Sequence, residues 1–114
     1  MANSDAIKRD KTLPRGDTWA FTFESADLGD LDAAYLSCKL DEDDEEYVFQ
    51  KSIGDGITKV STGKYRIRVA PEDTASLDID TYKYDFRVVK NSDVMTIMEG
   101  SLKLTREITT IEGD

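Results

Sequence analysis

Large apolar residues recur at every second position through most of this chain, and that period leaves few folds open to it. Tyr82, Tyr84, Phe86 and Val88 alternate with Lys83, Asp85 and Arg87, and Tyr65, Ile67 and Val69 alternate with Lys64, Arg66 and Arg68. Trp19, Phe21 and Phe23 are set off by Thr18, Thr22 and Glu24, and Ala34, Leu36, Cys38 and Leu40 by Tyr35, Ser37, Lys39 and Asp41. A strand sends successive side chains to opposite faces, so each run reads as a strand with one buried face. Further strands are expected over residues 47–53, 57–60 and 94–105, the last with Gly100 as a bulge or bend, and residues 7–13 supply a short edge segment.

Turn residues separate these runs. Pro14-Arg15-Gly16, Asp27-Leu28-Gly29-Asp30, Gly54-Asp55-Gly56, Ser61-Thr62-Gly63 and Asn91-Ser92-Asp93 all carry residues that tolerate tight backbone geometry. One helical turn is expected over residues 71–77, where Pro71 opens the segment and Glu72 and Asp73 complement the peptide dipoles of its first turn. Seven to nine short strands at 8–12-residue spacing in one domain of 114 residues predict an all-β, immunoglobulin-like antiparallel sandwich with its core over about residues 7–110. In such a fold a tyrosine near the start of the strand after the helical crossing bonds back to upstream backbone, a role open to Tyr82 or Tyr84.

Composition narrows the chemistry. The chain has no His, which removes His-based acid–base catalysis and His-assisted nucleophiles, and its single Cys38 provides neither an internal disulfide nor a thiolate metal cluster. No catalytic, cofactor-binding or metal-binding residue is assigned, and no enzyme is expected. Lys and Arg number 15 against 24 Asp and Glu, a net charge of −9, which disfavours nucleic acid and anionic membrane surfaces as partners. Six of those acids stand together in Asp41-Glu42-Asp43-Asp44-Glu45-Glu46, so the rest of the chain is nearly balanced. The opening residues lack the apolar core of a signal peptide and no stretch is long enough to span a membrane, so synthesis in the cytoplasm is expected.

Several further features have plainer structural readings. The acidic run lacks the spaced ligands of a calcium loop and reads as a solvated hairpin tip, with a salt-sensitive contact to a basic partner as a third option. Arg15-Gly16-Asp17 spells an integrin-recognition tripeptide but sits where the chain needs a turn. Asp78 and Asp80, two apart, would share one face of a strand, a necessary but weak condition for a glycosidase pair. Trp19, Phe21 and Phe23 would line a sugar site only if they faced outward; their alternation places them inward, leaving Tyr35 and Tyr47 as surface aromatics. Cys38, in phase with Leu36 and Leu40, reads as a small buried hydrophobe.

Gly16-Asp17-Thr18-Trp19-Ala20-Phe21-Thr22-Phe23 and Lys51-Ser52-Ile53-Gly54-Asp55-Gly56-Ile57 belong to a larger pattern. It continues in Thr62-Gly63-Lys64-Tyr65-Arg66-Ile67-Arg68-Val69, Pro71-Glu72-Asp73-Thr74, Tyr82-Lys83-Tyr84-Asp85-Phe86-Arg87-Val88 and Met98-Glu99-Gly100-Ser101-Leu102-Lys103-Leu104-Thr105. Across residues 7–110 the chain resembles the immunoglobulin-like N-terminal domain of phage baseplate upper proteins, although Asp80-Thr81 stands where that pattern often has Gly. The resemblance implies a phage or prophage virion structural protein that docks to other tail or baseplate proteins, with self-association a further option and no catalysis. Because the chain stops soon after its last strand, a small connector or accessory piece is expected. The alternative from another class is a carbohydrate-binding module or adhesin-type domain.

Overall fold

The computed structural model describes residues 6–25 and 27–109, so the outermost residues of the expected 1–114 domain, and residue 110 of its expected core, lie outside the described residues. The strands are β1 (Ile7–Lys8), β2 (Lys11–Pro14), β3 (Trp19–Glu24), β4 (Ala33–Lys39), β5 (Phe49–Ile53), β6 (Gly56–Ser61), β7 (Lys64–Val69), β8 (Thr81–Lys90) and β9 (Asp93–Thr105), with one helical turn, α1 (Pro71–Thr74). Their hydrogen-bonded order is β1-β9-β8-β4-β5-β6-β7-β3, with β2 also on β9. At the β5–β6 corner, where Ser52 and Ile53 pair with Gly56 and Ile57, the sheet turns back on itself. Gly56 at φ +93° makes this corner, and a Cβ there would stand 2.5 Å from Lys51 Cδ and 3.2 Å from the Arg68 carbonyl oxygen.

The fold is an immunoglobulin-like β-sandwich. Strands β3, β7 and β6 lie over β9, β8, β4 and β5, and the aromatic rings of the two layers meet across the core: Phe21 and Phe23 pack edge-on against Phe86 with centroids 5.8 and 5.4 Å apart. Trp19 meets Tyr84 at 5.2 Å, also edge-on. Each such pair adds about 0.5–1.5 kcal/mol beyond the burial of its area. Around these rings Leu36, Cys38, Ile57, Ile67, Val69, Val88, Leu102 and Leu104 are fully buried, in the phase that the alternation requires.

Most ladders are antiparallel; besides the short parallel contact of β5 with β6, β1 and β2 run parallel to β9, with Ile7 opposite Met98 and Leu13 opposite Leu104. Nearly the whole domain lies between β9 and these two strands, so no hairpin dictates their direction. Where β8 turns into β9, Asn91 and Ser92 have φ of +52° and +72°, the left-handed pair that matches the twist of a tight hairpin.

Gly100 is not the bulge. It pairs in register with Tyr84, and the register shift falls between Phe86 and Arg87, opposite Met98 and Thr96, which leaves Ile97 as the extra residue. Glycine is required at position 100 for another reason: a Cβ there would overlap the Arg9 carbonyl, where the chain crosses from β1 to β2. Leu40 also departs from the expected phase and is exposed, because β4 ends at Lys39 and the acidic tip begins there.

Of the two tyrosines open to the corner role, Tyr82 takes it. Its hydroxyl donates to the Asp78 carbonyl oxygen at 2.8 Å, pinning the segment after α1 to the start of β8. Ahead of it, the Asp73 carboxylate accepts the Ala70 N–H at 2.7 Å and pairs with Lys51 at 2.7 Å, while the buried Thr74 hydroxyl accepts the Gly16 N–H at 2.9 Å. Tyr84 instead donates to the Arg9 carbonyl at 2.5 Å, and the Tyr65 hydroxyl accepts the Leu31 N–H at 2.9 Å. In antibody domains a disulfide joins the two layers two residues beyond the corner tyrosine. Here Tyr84 stands two residues beyond Tyr82, and its ring against Trp19 fills that place.

Candidate functional site

The outward phase of β4, β5, β8 and β9 forms one continuous face. Because register sets which residues stand side by side, the face resolves into rows that cross the strands. One row places Lys39 opposite Lys83 and Lys83 opposite Ser101; the next places Ser37 opposite Asp85 and Asp85 opposite Glu99; the third places Tyr35 opposite Arg87. Cations therefore flank a central anionic row. Across this face lies an open groove of about 940 Å³, whose lining includes Glu42 and Asp43 of the acidic tip as well as Val89 and Val94. Its lining spans the sheet from Lys8 to Gln50, making it a surface groove and not an enclosed cavity.

Two aromatic rings are presented here. Tyr35 and Tyr47 are 39% and 48% exposed, as expected of surface aromatics, and the Lys39 ammonium lies 5.1 Å from the Tyr47 ring centroid. Asp85 is half-buried at the centre, and burial raises its carboxyl above the usual range; Glu99 raises it further, while Arg87 and Lys39 work against the shift. Lys8 covers the far side of Glu99 in an ion pair. Two like-charged cross-strand neighbours, Lys39 with Lys83 and Asp85 with Glu99, are each unfavourable in the isolated sheet, and an incoming surface of opposite charge would relieve both.

The hydroxyls of the groove are engaged locally. Ser37 Oγ accepts from Gln50 Nε2 at 2.9 Å and Ser101 Oγ from Lys83 Nζ at 3.4 Å, so neither stands against a general base. The arrangement offers rings, paired charges and a hydrogen-bonding rim, which is the chemistry of recognition.

The other residues singled out in the sequence are dispersed. In the acidic tip, Asp41 Oδ1 accepts the Asp43 N–H and Asp44 Oδ2 accepts the Asp41 N–H, both at 3.1 Å, so these carboxylates close the hairpin turn on itself. Among the described residues no three acidic or sulfur side chains are gathered as a ligand set. Asp78 and Asp80 lie in the bend before β8 and not on a strand, so the shared-face expectation does not hold. There Asp80 Oδ1 accepts the Thr81 N–H at 2.7 Å, and the Asp80 main-chain oxygen accepts the Leu104 N–H at 2.9 Å. In the Arg15-Gly16-Asp17 turn the guanidinium is held by the Leu77 carbonyl at 3.1 Å and by Glu107 at 3.2 Å, which fixes the loop. Trp19 is buried, whereas Phe21 and Phe23 are only half-buried. Cys38 is fully buried, and burial pushes its thiol up to about 12.

The sequence marks Tyr35 and Tyr47 as surface aromatics but does not gather them, or Lys39, Lys83, Asp85 and Arg87, into one face. The signal was the outward phase of the same alternating runs, and only the strand pairing shows which of those residues meet.

No family model matches this chain, and no curated protein does. Among solved structures, the chain is similar to an uncharacterized protein from Bacillus anthracis str. Ames, with a TM-score of 0.55 and 14% identity over 88% of this chain and 85% of that one. That likeness is one of fold. The insect immune protein hemolin aligns over 99% of this chain and 29% of its own length at 17% identity, with a TM-score of 0.47.

Proposed function

We propose that this protein is a non-enzymatic docking domain that works through protein–protein contacts, made by the groove on the β4-β5-β8-β9 face. The observation that carries the reading is the charge pattern of that face. Lys39/Lys83 and Asp85/Glu99 are like-charged rows in register on adjacent strands, an arrangement that costs the isolated domain and complements a partner with the reverse pattern. Exposed Tyr35 and Tyr47 beside them supply the aromatic area that protein interfaces favour. The likeness of the strand-and-turn segments to the immunoglobulin-like domain of phage baseplate upper proteins supplies the setting: a phage or prophage tail or baseplate, with other virion proteins as partners.

The same tyrosines favour one alternative, a glycan ligand stacked on their rings. Quantitative mass spectrometry of purified phage particles separates the two. The docking reading expects this chain in the particle at a fixed ratio to the tail proteins, with incorporation of K83E/R87E reduced at least tenfold while its melting temperature is kept. Absence from the particle, together with saturable glycan binding that Y35A abolishes, would favour the carbohydrate reading.

A further inference from the structure

Strand β3 ends the hydrogen-bonded order and pairs with β7 alone among the described residues. The Ser25 N–H donates to the Gly63 carbonyl at 2.8 Å. Main-chain groups alternate in direction along a strand, so those of Phe23, Phe21 and Trp19 face β7, and those of Ala20, Thr22 and Glu24 face away from it. Three N–H and three C=O groups thus form an open edge. Natural edges are usually blunted by Lys, Pro, a bulge or a short length. β3 has no Lys, Pro or bulge: it is six residues long, reads Trp-Ala-Phe-Thr-Phe-Glu with its one charge at the terminal Glu24, and pairs with β7 without a register shift.

We infer that β3 is a self-association edge, and that its occupant is β3 of a second copy of this chain, joined antiparallel about a two-fold axis through Thr22. This inference stands independently of what the groove binds. Three features support this occupant. First, the register is self-complementary: Thr22 opposes Thr22 and Ala20 opposes Glu24 of the second copy, so all six edge groups on each chain find partners and no like charges meet.

Second, Phe21 and Phe23 face the core yet remain half-buried, although their alternation calls for full burial. In this register Phe21 stands opposite Phe23 of the second copy, at the closer, non-hydrogen-bonded spacing, so the aromatic stripe continues across the two chains. Third, the outward residues of β7 behind Glu24, Thr22 and Ala20 are Lys64, Arg66 and Arg68, three cations in a net-acidic chain. Among the described residues Arg68 has no ion pair, and the small Ala20 side chain in front of it leaves room for Glu24 of the second copy to reach its guanidinium.

Sedimentation velocity on the full chain, from about 5 to about 500 μM, tests this, because so short an edge should dissociate on the order of 10–100 μM. The mass should rise from 12.8 kDa towards twice that value. T22P removes an edge N–H that faces away from β7, and edge strands tolerate such a proline. T22K adds the charge that natural edges use. Both should stay monomeric with wild-type far-UV circular dichroism, whereas K83E, in the groove, should dimerise normally. Amide exchange at Ala20, Thr22 and Glu24 should slow as concentration rises. E24R and R68E should each weaken the dimer several-fold, and their combination should recover it. A wild-type mass fixed at 12.8 kDa, dimers that survive T22P and T22K, loss of the dimer in K83E, or exchange protection independent of concentration would each overturn the proposal.

Discussion

Replacing Tyr82 by Phe removes one oxygen atom and leaves the ring, which makes it a clean probe of the corner at the start of β8. The ring is 3% exposed and stays packed, so no cavity opens. What is lost is the 2.8 Å hydrogen bond to the Asp78 carbonyl, in a part-buried setting where water can reach the abandoned oxygen. A neutral hydrogen bond of this kind contributes about 0.5–1.5 kcal/mol net. Tyr65→Phe provides the contrast, because its hydroxyl accepts the buried Leu31 N–H, and a buried donor left without a partner costs about 1–3 kcal/mol. Urea unfolding should therefore order the proteins as wild type, then Y82F, then Y65F, with equal m-values. Thermal melts should fall by about 4 °C for each kcal/mol in a domain of this size. A Y82F protein within about 0.3 kcal/mol of wild type, or one less stable than Y65F, would refute the reasoning, since the typical contribution of even one exposed-side hydrogen bond exceeds that margin.

Other consequences can be checked on the same material. Asp85 has its carboxyl raised above its ordinary value of 3.8, so folding penalises its ionised form. That cost is absent below about pH 3.8 and grows as pH rises from there through the folded-state value, so D85N should be more stable than wild type at pH 7 by about 0.2–1 kcal/mol, from relief of the carboxylate's burial first and of its repulsion by Glu99 second. The gain should vanish as pH falls below 3.8 in urea melts across pH, and a gain that persists there would contradict the cause assigned. G100A should destabilise by about 1–3 kcal/mol and free the amides of β1 and β2 to exchange, because its methyl meets the Arg9 carbonyl; a neutral substitution would show that the crossing relaxes easily. Cys38, with its thiol pushed up to about 12, should resist iodoacetamide at pH 8 in the native state and react promptly in urea, as followed by mass spectrometry.

The sandwich itself is largely legible in the order of residues, because burial on one face imposes a period of two that no helix tolerates. Tyr82, Tyr84, Phe86 and Val88 announce both the strand and its inward face, and Asn91-Ser92 announces the turn. Direction and neighbours are less visible. Nothing local to Ile7 or Leu13 states that they lie parallel to β9, since that pairing joins opposite ends of the sequence. Gly100 shows the same limit: a glycine within an alternating run suggests a bulge, but the carbonyl that demands it belongs to Arg9, far away in sequence. The half-burial of Phe21 and Phe23 likewise depends on which strand is last in the sheet. The groove was half legible, for Tyr35 and Tyr47 stand out as aromatics in outward or loop positions. The rows that join Lys39 to Lys83 and Asp85 to Glu99 exist only once three strands are paired.

On the docking role proposed above, photo-crosslinking inside assembled phage particles tests most directly whether the groove docks a protein. Benzoylphenylalanine would be placed at Tyr35, within the groove, and separately at Val60, which is exposed on β6 of the opposite layer. The expected result is a covalent adduct to one tail or baseplate protein from position 35, lost when K83E is added, and none from position 60. Particles that contain the chain yet give no adduct from position 35, or give one from position 60 alone, would contradict the assignment of this face.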